Sequence, residues 1–375
     1  MTAFALVALA GLLSFANGAN DVSKGVATLV GSGRTSLRHA VRWGAAWTGV
    51  GAASAAALSG AMLVTFQQST LAPGSGASLT SSVAALSGAT AWILIATRQG
   101  LPVSTTHALV GGMLGATMAA HGMDAVSWAS LSSRVLLPLV LSPVVALVAM
   151  RLVLKRWQRH RGAASVEHCV CLTVARAPAL ARVTLAGHQQ MAAGTMGLDV
   201  RTGTATACSV HQPQALRLTG DSLHWLASGV VSFSRGLNDT PKIVALLLAA
   251  AALAPGQLDS PGAAFGLVAM GMVVGSLVGG RGVTRVLAEE VTTMDPMEGL
   301  AANIVTAALV TTGAVYGLPM STTHVASGSI AGIGVRRGAL RFDAVRHIGL
   351  AWIVTLPAAT ALSALIYAAG MRLLP

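Results

Sequence analysis

Two copies of one short segment place hydroxyl side chains between a proline and a histidine. They are Pro-Val-Ser-Thr-Thr-His at 102–107 and Pro-Met-Ser-Thr-Thr-His at 319–324. Proline is favoured in the first turn of a helix, where unpaired backbone N–H groups attract anions. The alternative is that the hydroxyls only cap a helix or bond to its preceding turn. We expect all six hydroxyl residues to bind an anion: Ser104, Thr105, Thr106, Ser321, Thr322 and Thr323.

A second repeated segment places charged side chains inside apolar sequence. Each copy has an asparagine, an aspartate and a lysine in the same order: Asn20, Asp21 and Lys24, then Asn238, Asp239 and Lys242. Ionisable groups inside a membrane segment are costly and by default indicate a function. The alternative is an aspartate at a helix end, or an Asp–Lys pair that serves packing alone. Because the arrangement occurs twice, we favour a substrate-binding role for all six residues.

Carboxylates suit an anion site only if the anion carries a proton. Phosphate is still protonated at neutral pH and can donate a hydrogen bond to an aspartate, whereas sulfate cannot. A site built around a substrate proton rejects the analogue that lacks it. The aspartates therefore favour phosphate over sulfate. A permease for another tetrahedral oxyanion, sulfate or arsenate, is the alternative of the same class.

The composition predicts a protein that is embedded in a lipid bilayer. Of 375 residues, 54% are hydrophobic and 10% are charged, and the mean hydropathy is +0.69. Soluble domains carry about 25% charged residues, and several apolar blocks here reach the ~20 residues that a spanning helix needs. The formal charge of +12 comes largely from arginines clustered in a few loops. Orientation in a membrane explains that clustering better than nucleic-acid binding, so no nucleic-acid partner is expected.

The repeated motifs predict a duplicated membrane domain. The two motif pairs lie 218 and 217 residues apart in the same order. The predicted organisation is a first repeat at 1–155, a basic cytoplasmic linker at 156–221 and a second repeat at 222–375. We expect an all-α polytopic fold with five segments per half: 3–32, 41–66, 82–98, 101–120, 134–154, 222–253, 262–281, 299–316, 318–335 and 346–371. Glycine and proline at the motifs predict discontinuous or re-entrant helices.

Basic residues predict how the two halves are oriented. Arginine and lysine follow the first, third, fifth, seventh and ninth segments, whereas the loops 67–81, 121–133 and 254–261 contain neither. If the basic loops are cytoplasmic, the N-terminus lies outside and each half crosses the membrane an odd number of times. The halves are then inverted relative to each other, as in secondary transporters that bind substrate at the repeat interface. The first segment lacks a basic start, so we interpret it as a span rather than a signal peptide.

The linker shows no helical periodicity, and we interpret it as a loop. All three cysteines, Cys169, Cys171 and Cys208, lie in it, so no disulfide framework is implied. His168-Cys169-Val170-Cys171 lacks a second ligand pair at a suitable spacing for a metal site. We expect no cofactor.

At these motifs the chain resembles the inorganic phosphate transporter (PiT) family. Gly18-Ala19-Asn20-Asp21-Val22, Asn238-Asp239 and both Pro-x-Ser-Thr-Thr-His segments match its signatures, as do 279–283, 294–296 and 301–302. The resemblance implies an inverted-repeat plasma-membrane transporter, in a bacterium an inner-membrane one, that moves phosphate with sodium, or with protons in some bacterial members. It implies substrate contacts at the asparagine, aspartate and hydroxyl positions, and sodium near Asn20, Asp21, Asn238 and Asp239. His107 and His324 are expected to support the site by hydrogen bonds rather than to bind the substrate.

The chain departs from the family pattern at charged positions. Lys24 and Lys242 stand where the family usually has a second asparagine, Asn303 stands where it tends to have a glutamate, and 45–50 lacks another glutamate. Our hypothesis is that the two lysines replace bound sodium, which makes transport sodium-independent. The alternative is that both lysines extend to the membrane interface and leave the cation sites intact.

Other classes of protein and an asymmetry between the two copies also follow from these residues. A hydrolase using Ser, His and Asp is disfavoured because the reactive residues are duplicated and no Gly-x-Ser-x-Gly motif is present, so we expect no enzyme. An anion channel is a further alternative to a transporter that works by alternating access. Arg235 occupies the position of Asn17 in the second copy and either contacts phosphate or forms a gate. The sequence leaves a homodimer open.

Overall fold

A computed structural model describes residues 2–68, 78–160, 168–176, 196–204, 216–253 and 260–373 of the chain. The helices of the first half are α1 (Thr2–Gly31), α2 (Leu37–Leu58), α3 (Gly60–Gln68), α4 (Leu79–Arg98), α5 (Thr105–His121), α6 (Trp128–Leu131) and α7 (Leu137–His160). Those of the second half are α8 (Gly220–Ala251), α9 (Pro261–Gly279), α10 (Arg281–Arg285), α11 (Pro296–Val315), α12 (Thr322–Arg337) and α13 (Phe342–Leu373). A 3₁₀ turn (Met123–Ala125) and two π-helical turns (Ser132–Leu136 and Val286–Glu290) complete the helical elements in the described residues.

The membrane part is all-α, as predicted. Within the described residues, six helices are long and apolar enough to cross a membrane: α1, α4, α6 with α7, α9, α11 and α13. Helices α2 and α3 make a seventh span if this pair, bent by 76°, is counted as one. Helices α5, α8 and α12 carry the polar motifs and match the predicted segments 101–120, 222–253 and 318–335.

The linker contains a small sheet, and the prediction of a plain loop is wrong there. Strands β1 (His168–Arg176), β2 (Met196–Thr204) and β3 (Leu216–Leu218) form an antiparallel sheet in the order β2-β1-β3. Leu172 pairs with Val200 on one side and with Leu216 on the other. Val170, Leu172 and Val174 alternate with other residues at the period of two that is typical of a strand. Cys208 lies outside the described residues.

Helices from opposite halves pack with their backbones in contact at glycine. In α1 and α9, a methyl group on Gly18 would overlap the carbonyl oxygen of Met272, and one on Gly275 would overlap that of Phe15. Equivalent contacts join α8 of the second half to α2 of the first half, where Gly236 packs on the backbone of Thr48 and Gly51 packs on that of Phe233. Small residues let membrane helices approach this closely. These contacts hold together the four helices that include both Asn-Asp segments.

The helices that begin at the Ser-Thr-Thr motifs are fixed in the same way. Gly111 of α5 packs on the backbone of Leu356 in α13, and Gly328 of α12 packs on that of Pro143 in α7. Residues 101–104 and 318–321 are not helical, and each of these stretches follows a glycine with positive φ. A left-handed backbone favours glycine, here at Gly100 (φ 71°). Each motif is therefore a non-helical stretch that ends in an extended serine and is followed by a helix N-terminus, as expected for discontinuous helices.

Candidate substrate site

Asn17 joins the two halves at the centre of the molecule. Its Nδ2 donates to Thr105 Oγ1 at 3.0 Å, to Asp239 Oδ2 at 3.3 Å and to Asp21 Oδ2 at 3.4 Å. The side chain is 0% exposed. The two predicted aspartates, which lie far apart in sequence, are thus linked through one amide group. In the sequence, Asn17 is distinguished only as the position that Arg235 occupies in the second copy, and no local pattern indicates that it bridges the aspartates.

Lys24 occupies a pocket of oxygen atoms in the first half. Its Nζ donates to Asp21 Oδ1 at 2.5 Å, to Asn20 Oδ1 at 2.8 Å and to the Asn20 carbonyl at 3.0 Å. The residue is 1% exposed. An ammonium with three oxygen partners at these distances has the surroundings of a bound cation. Lys24 does not extend to the membrane interface, so that alternative is wrong for the first copy.

Asn20 holds the extended peptide that precedes α5. Its Nδ2 donates to the carbonyl of Leu101 at 2.9 Å and to Thr97 Oγ1 at 3.0 Å, and its Oδ1 accepts from the N–H of Val103 at 3.2 Å. Non-helical backbone at membrane depth needs such partners because no water or helix provides them. Asn20 therefore positions the start of the Ser-Thr-Thr helix.

Lys242 connects the second Asn-Asp segment to the first Ser-Thr-Thr motif. Its Nζ donates to Thr106 Oγ1 at 2.9 Å, to Asp239 Oδ1 at 3.2 Å and to the Met320 carbonyl at 3.3 Å. It is 0% exposed, so extension to the interface is wrong for this copy as well. Asn238 Nδ2 also reaches the Met320 carbonyl, at 3.1 Å, and Asp239 Oδ1, at 2.8 Å. The residue pattern is duplicated, but its contacts are not identical.

The predicted hydroxyls divide into two groups. Ser104 and Ser321 are N-caps, and each Oγ accepts the N–H of the histidine three residues later at 3.3 Å. Such bonds satisfy a free amide of the first turn. The threonine hydroxyls are directed to other elements: Thr105 to Asp21 at 3.2 Å, Thr106 to Lys242 at 2.9 Å and Thr323 to the Val103 carbonyl at 2.8 Å. Thr322 is also buried, with 2% exposure.

Arg235 is a fully buried cation that joins four helices. From α8 its Nη2 donates to Thr48 Oγ1 of α2 at 2.6 Å and to Ser276 Oγ of α9 at 3.3 Å, and its Nη1 reaches the Asn17 carbonyl of α1 at 3.5 Å. Its Nε has no hydrogen-bond partner. In the part of the chain that the structure describes, no ion pair joins Arg235 to a carboxylate. Thr48 lies within 45–50, where the resemblance implies a glutamate that this chain lacks.

The charges buried at the centre do not cancel. Asp21 and Asp239 are each paired with the lysine three residues later, at 2.5 and 3.2 Å, and Arg235 adds a third cation. Three cations and two carboxylates leave one formal positive charge. A buried charge without a partner is expensive. The arrangement therefore favours an anion, which would supply the missing negative charge.

Two histidines and two aromatic side chains lie beside these motifs. His107 and His324 lie with ring centroids 4.8 Å apart, and the Trp352 ring lies 4.0 Å from that of His324 with the two planes tilted by 40°. Phe66 of α3 places its ring 5.9 Å from Lys242 Nζ, within cation–π range, and also lines a cavity of about 80 Å³ between α3, α4, α5 and α8. Asn303 is buried, and its Nδ2 has no partner. No short sequence pattern could have placed Phe66 beside Lys242.

Comparisons with known proteins agree with this architecture. The model of the phosphate transporter family matches residues 17–363. The Arabidopsis thaliana protein "Inorganic phosphate transporter 2-1, chloroplastic" is 29% identical over 92% of this chain and 68% of its own length. The Mycobacterium bovis protein "Probable low-affinity inorganic phosphate transporter" is 28% identical over 94% of this chain and 74% of its own length.

A solved structure of a sodium-dependent phosphate transporter has the same fold. It superposes with a TM-score of 0.78 over all of both chains at 23% identity. The family is one of transporters and not of enzymes, which confirms that prediction. With the family model matched from Asn17 to Ser363, this chain belongs to the phosphate transporter family.

Proposed function

We propose that the chain is a secondary transporter that moves inorganic phosphate by alternating access between two inverted repeats. The observation that carries this proposal is the convergence of both Asn-Asp segments on Asn17, with one uncompensated positive charge around them. A site that binds an anion from two sides can open to either face of a membrane as the halves rock against each other. The equivalent glycine contacts of α1 with α9 and of α8 with α2 support an arrangement of two related halves.

Phosphate binds between the two Ser-Thr-Thr helices and the two lysines in this proposal. The free N–H groups at the starts of α5 and α12 point positive dipole ends toward the centre. Thr105, Thr106 and Lys242 already form one connected set with the aspartates. A proton on phosphate replaces Asn17 or Thr105 as the donor to an aspartate oxygen. Sulfate, which has no proton to donate, leaves that carboxylate facing an oxyanion.

We further propose that transport does not require sodium. The support is the environment of Lys24, whose ammonium has three oxygen partners between 2.5 and 3.0 Å. A sodium ion beside Asn20 and Asp21 would have to displace that ammonium. Lys242 makes the corresponding contact with Asp239 in the second half. Fixed charges thus take the place of the cations that the family resemblance implies.

The membrane orientation is part of the same proposal. The N-terminus lies outside, the 156–221 linker is cytoplasmic, and the location is the plasma membrane, because the basic residues cluster on alternate loops. The cavity beside Phe66 then lies on the outer side, since Gln67, Ser81 and His121 line it and the sequences 67–81 and 121–133 lack lysine and arginine.

Phosphate uptake into proteoliposomes tests the proposal. Purified protein should catalyse saturable uptake and phosphate–phosphate exchange in potassium buffer as well as in sodium buffer. Excess arsenate should compete and excess sulfate should not. A strict sodium requirement would refute sodium independence, and equal competition by sulfate would favour a general oxyanion permease. Single-channel currents would identify a channel instead.

A further inference from the structure

The histidine pair His107–His324 contains polar atoms that the hydrogen bonds of the site leave unused. Both rings are more than nine-tenths buried, with 8% and 4% exposure. His107 Nδ1, His324 Nε2 and the neighbouring Trp352 Nε1 have no hydrogen-bond partner. Buried polar atoms are nearly always paired, so a cluster of three unpaired nitrogens needs an explanation. The supporting role expected from the sequence does not account for them.

The tautomer of His324 follows from its one hydrogen bond. Its Nδ1 lies 3.1 Å from the carbonyl oxygen of Leu139, and a carbonyl can only accept, so Nδ1 carries the hydrogen. In the neutral ring, Nε2 is then an unprotonated nitrogen with a free lone pair. It can bind one proton without breaking the bond to Leu139. Histidine is the side chain best suited to gain and lose a proton near neutral pH.

The two histidines occupy equivalent positions in the two repeats, and the pair lies at the interface between them. His107 and His324 each follow the Ser-Thr-Thr sequence of their half, and their ring centroids are 4.8 Å apart. Each is held at its backbone by the N-cap serine of its helix. Relative motion of the halves therefore changes the surroundings of both rings together.

The charged groups that act on the pair belong to the substrate site. Lys242 of α8 donates to the hydroxyl of Thr106, the residue that precedes His107, so an ammonium group of the substrate site lies beside the pair. Among the described residues, helix α7 gives the pair the Leu139 carbonyl and α13 gives it the neutral Trp352. The ammonium group opposes a further positive charge on the rings. Phosphate bound at the lysines offsets that repulsion, so phosphate and proton each strengthen the binding of the other.

We propose that the His107–His324 pair is the proton-binding site that couples phosphate movement to a proton gradient, an assignment that rests on the proposed function. The proton enters from the aqueous phase on one side and binds a free ring nitrogen, which converts one imidazole to imidazolium. It leaves to the aqueous phase on the other side after phosphate departs. With lysines in the cation positions, these rings provide the titratable group that an ion-coupled carrier needs.

Sodium-free proteoliposomes containing a pH-sensitive dye test the assignment. Uptake driven by an imposed pH gradient is compared with phosphate–phosphate exchange at equal pH, which needs no net proton movement. For His324→Gln, and likewise for His107→Gln, the ratio of driven uptake to exchange should fall about tenfold, within the usual range of coupling between two ligands. Proton entry per phosphate, read from the dye at one fixed pH, should fall with it.

Two variants control for burial and stacking. His224 is another fully buried histidine: its Nε2 lies 3.0 Å from Thr28 Oγ1, and its Nδ1, like the free nitrogens of the pair, has no partner. His224→Gln should keep the wild-type ratio, because the assignment depends on the paired rings behind the two Ser-Thr-Thr motifs and not on a buried free nitrogen alone. Trp352→Phe keeps a ring on His324 and removes the third unpaired nitrogen, and it should also keep the ratio.

An unchanged ratio in both pair variants would overturn the assignment. Loss of exchange together with uptake, in variants that purify as folded protein, would overturn it too, because the pair would then belong to the phosphate site. If the wild-type protein shows no phosphate exchange, the proposed function itself is refuted. Exchange without phosphate-dependent proton movement would refute the proton site alone.

Discussion

Replacing Lys24 by asparagine should turn the transporter into a sodium-dependent one. The change removes the ammonium that lies 2.5 Å from Asp21 and leaves that carboxylate, which is 1% exposed, without its counter-charge. The remaining donors to Asp21 are Thr105 at 3.2 Å and Asn17 at 3.4 Å. The oxygens that surrounded the ammonium, including those of Asn20, become free to bind a cation. Asparagine also adds a carbonyl oxygen that suits sodium.

The size of the effect follows from the burial of the pair. Removing one partner of a buried ion pair costs about 3–5 kcal/mol because the other charge stays buried and unpaired. At about 1.4 kcal/mol per factor of ten, this cost corresponds to a loss of about two to three and a half orders of magnitude. The formal charge of the centre also falls from one positive charge to zero, which weakens its attraction for phosphate. Sodium at the vacated position would restore both the counter-charge of Asp21 and the net positive charge that attracts phosphate.

The assay compares initial rates of phosphate uptake in potassium and in sodium buffer. Lys24→Asn should lose most of its uptake in potassium and regain it as sodium is added. Lys155→Asn is the matched control, because Lys155 is exposed on α7 and bears the same charge. It should behave as the wild-type protein does in both buffers.

Two results would refute the reasoning. If Lys24→Asn transports phosphate in potassium at the wild-type rate, the ammonium does not neutralise a charge that matters for binding. If the wild-type protein already needs sodium, a cation site exists elsewhere and Lys24 does not replace it.

Three further predictions concern charge, selectivity and packing. Arg235→Gln should weaken phosphate binding by about ten- to a hundredfold, because it removes a desolvated charged donor worth about 1.5–3 kcal/mol. Arg235→Lys should keep part of this affinity. Equal dissociation constants for the wild-type protein and both variants in calorimetry would argue against a contact between Arg235 and the substrate. Asp21→Asn should reduce phosphate uptake strongly and, in competition assays, reduce the preference for phosphate over sulfate. An unchanged preference would assign the selectivity to other groups. Gly275→Ala should lower the free energy of unfolding by about 1–3 kcal/mol in thermal scans, since the new methyl group overlaps the Phe15 carbonyl. Gly266→Ala in the same helix is its control, because nothing lies within 4 Å of the added group, and equal stabilities would contradict the close helix contact.

The sequence predicted the organisation of this fold because its signals are local and repeated. Long apolar segments mark helices by themselves, and a polar motif within them marks a site. Gly-Leu-Pro before each Ser-Thr-Thr specifies a break in the helix, and the structure has a positive-φ glycine and a non-helical stretch at both places. Duplication then predicts that the two Asn-Asp segments meet, as they do at Asn17.

The details of the site depend on contacts between distant residues, which no local pattern contains. Lys242 bonds Thr106 of the opposite half, and Arg235 is held by Thr48 and Ser276, which have no motif of their own. Both lysines could equally have reached the membrane surface, since a long side chain permits either direction. Tertiary packing decided between the two.

The linker sheet has only a short local signal in the sequence. The alternation of Val170, Leu172 and Val174 is a strand pattern within a basic segment that lacks helical periodicity. The sequence alone therefore contained the signal, but it covers only nine residues in β1.

Phosphate affinity measured by calorimetry in sodium-free and in sodium-containing buffer tests the central claim most directly. If fixed lysine charges from two converging halves form the anion site, the wild-type protein binds phosphate in potassium buffer, and sodium leaves the dissociation constant unchanged. Binding that is absent without sodium, or that strengthens in proportion to its concentration, would contradict the claim.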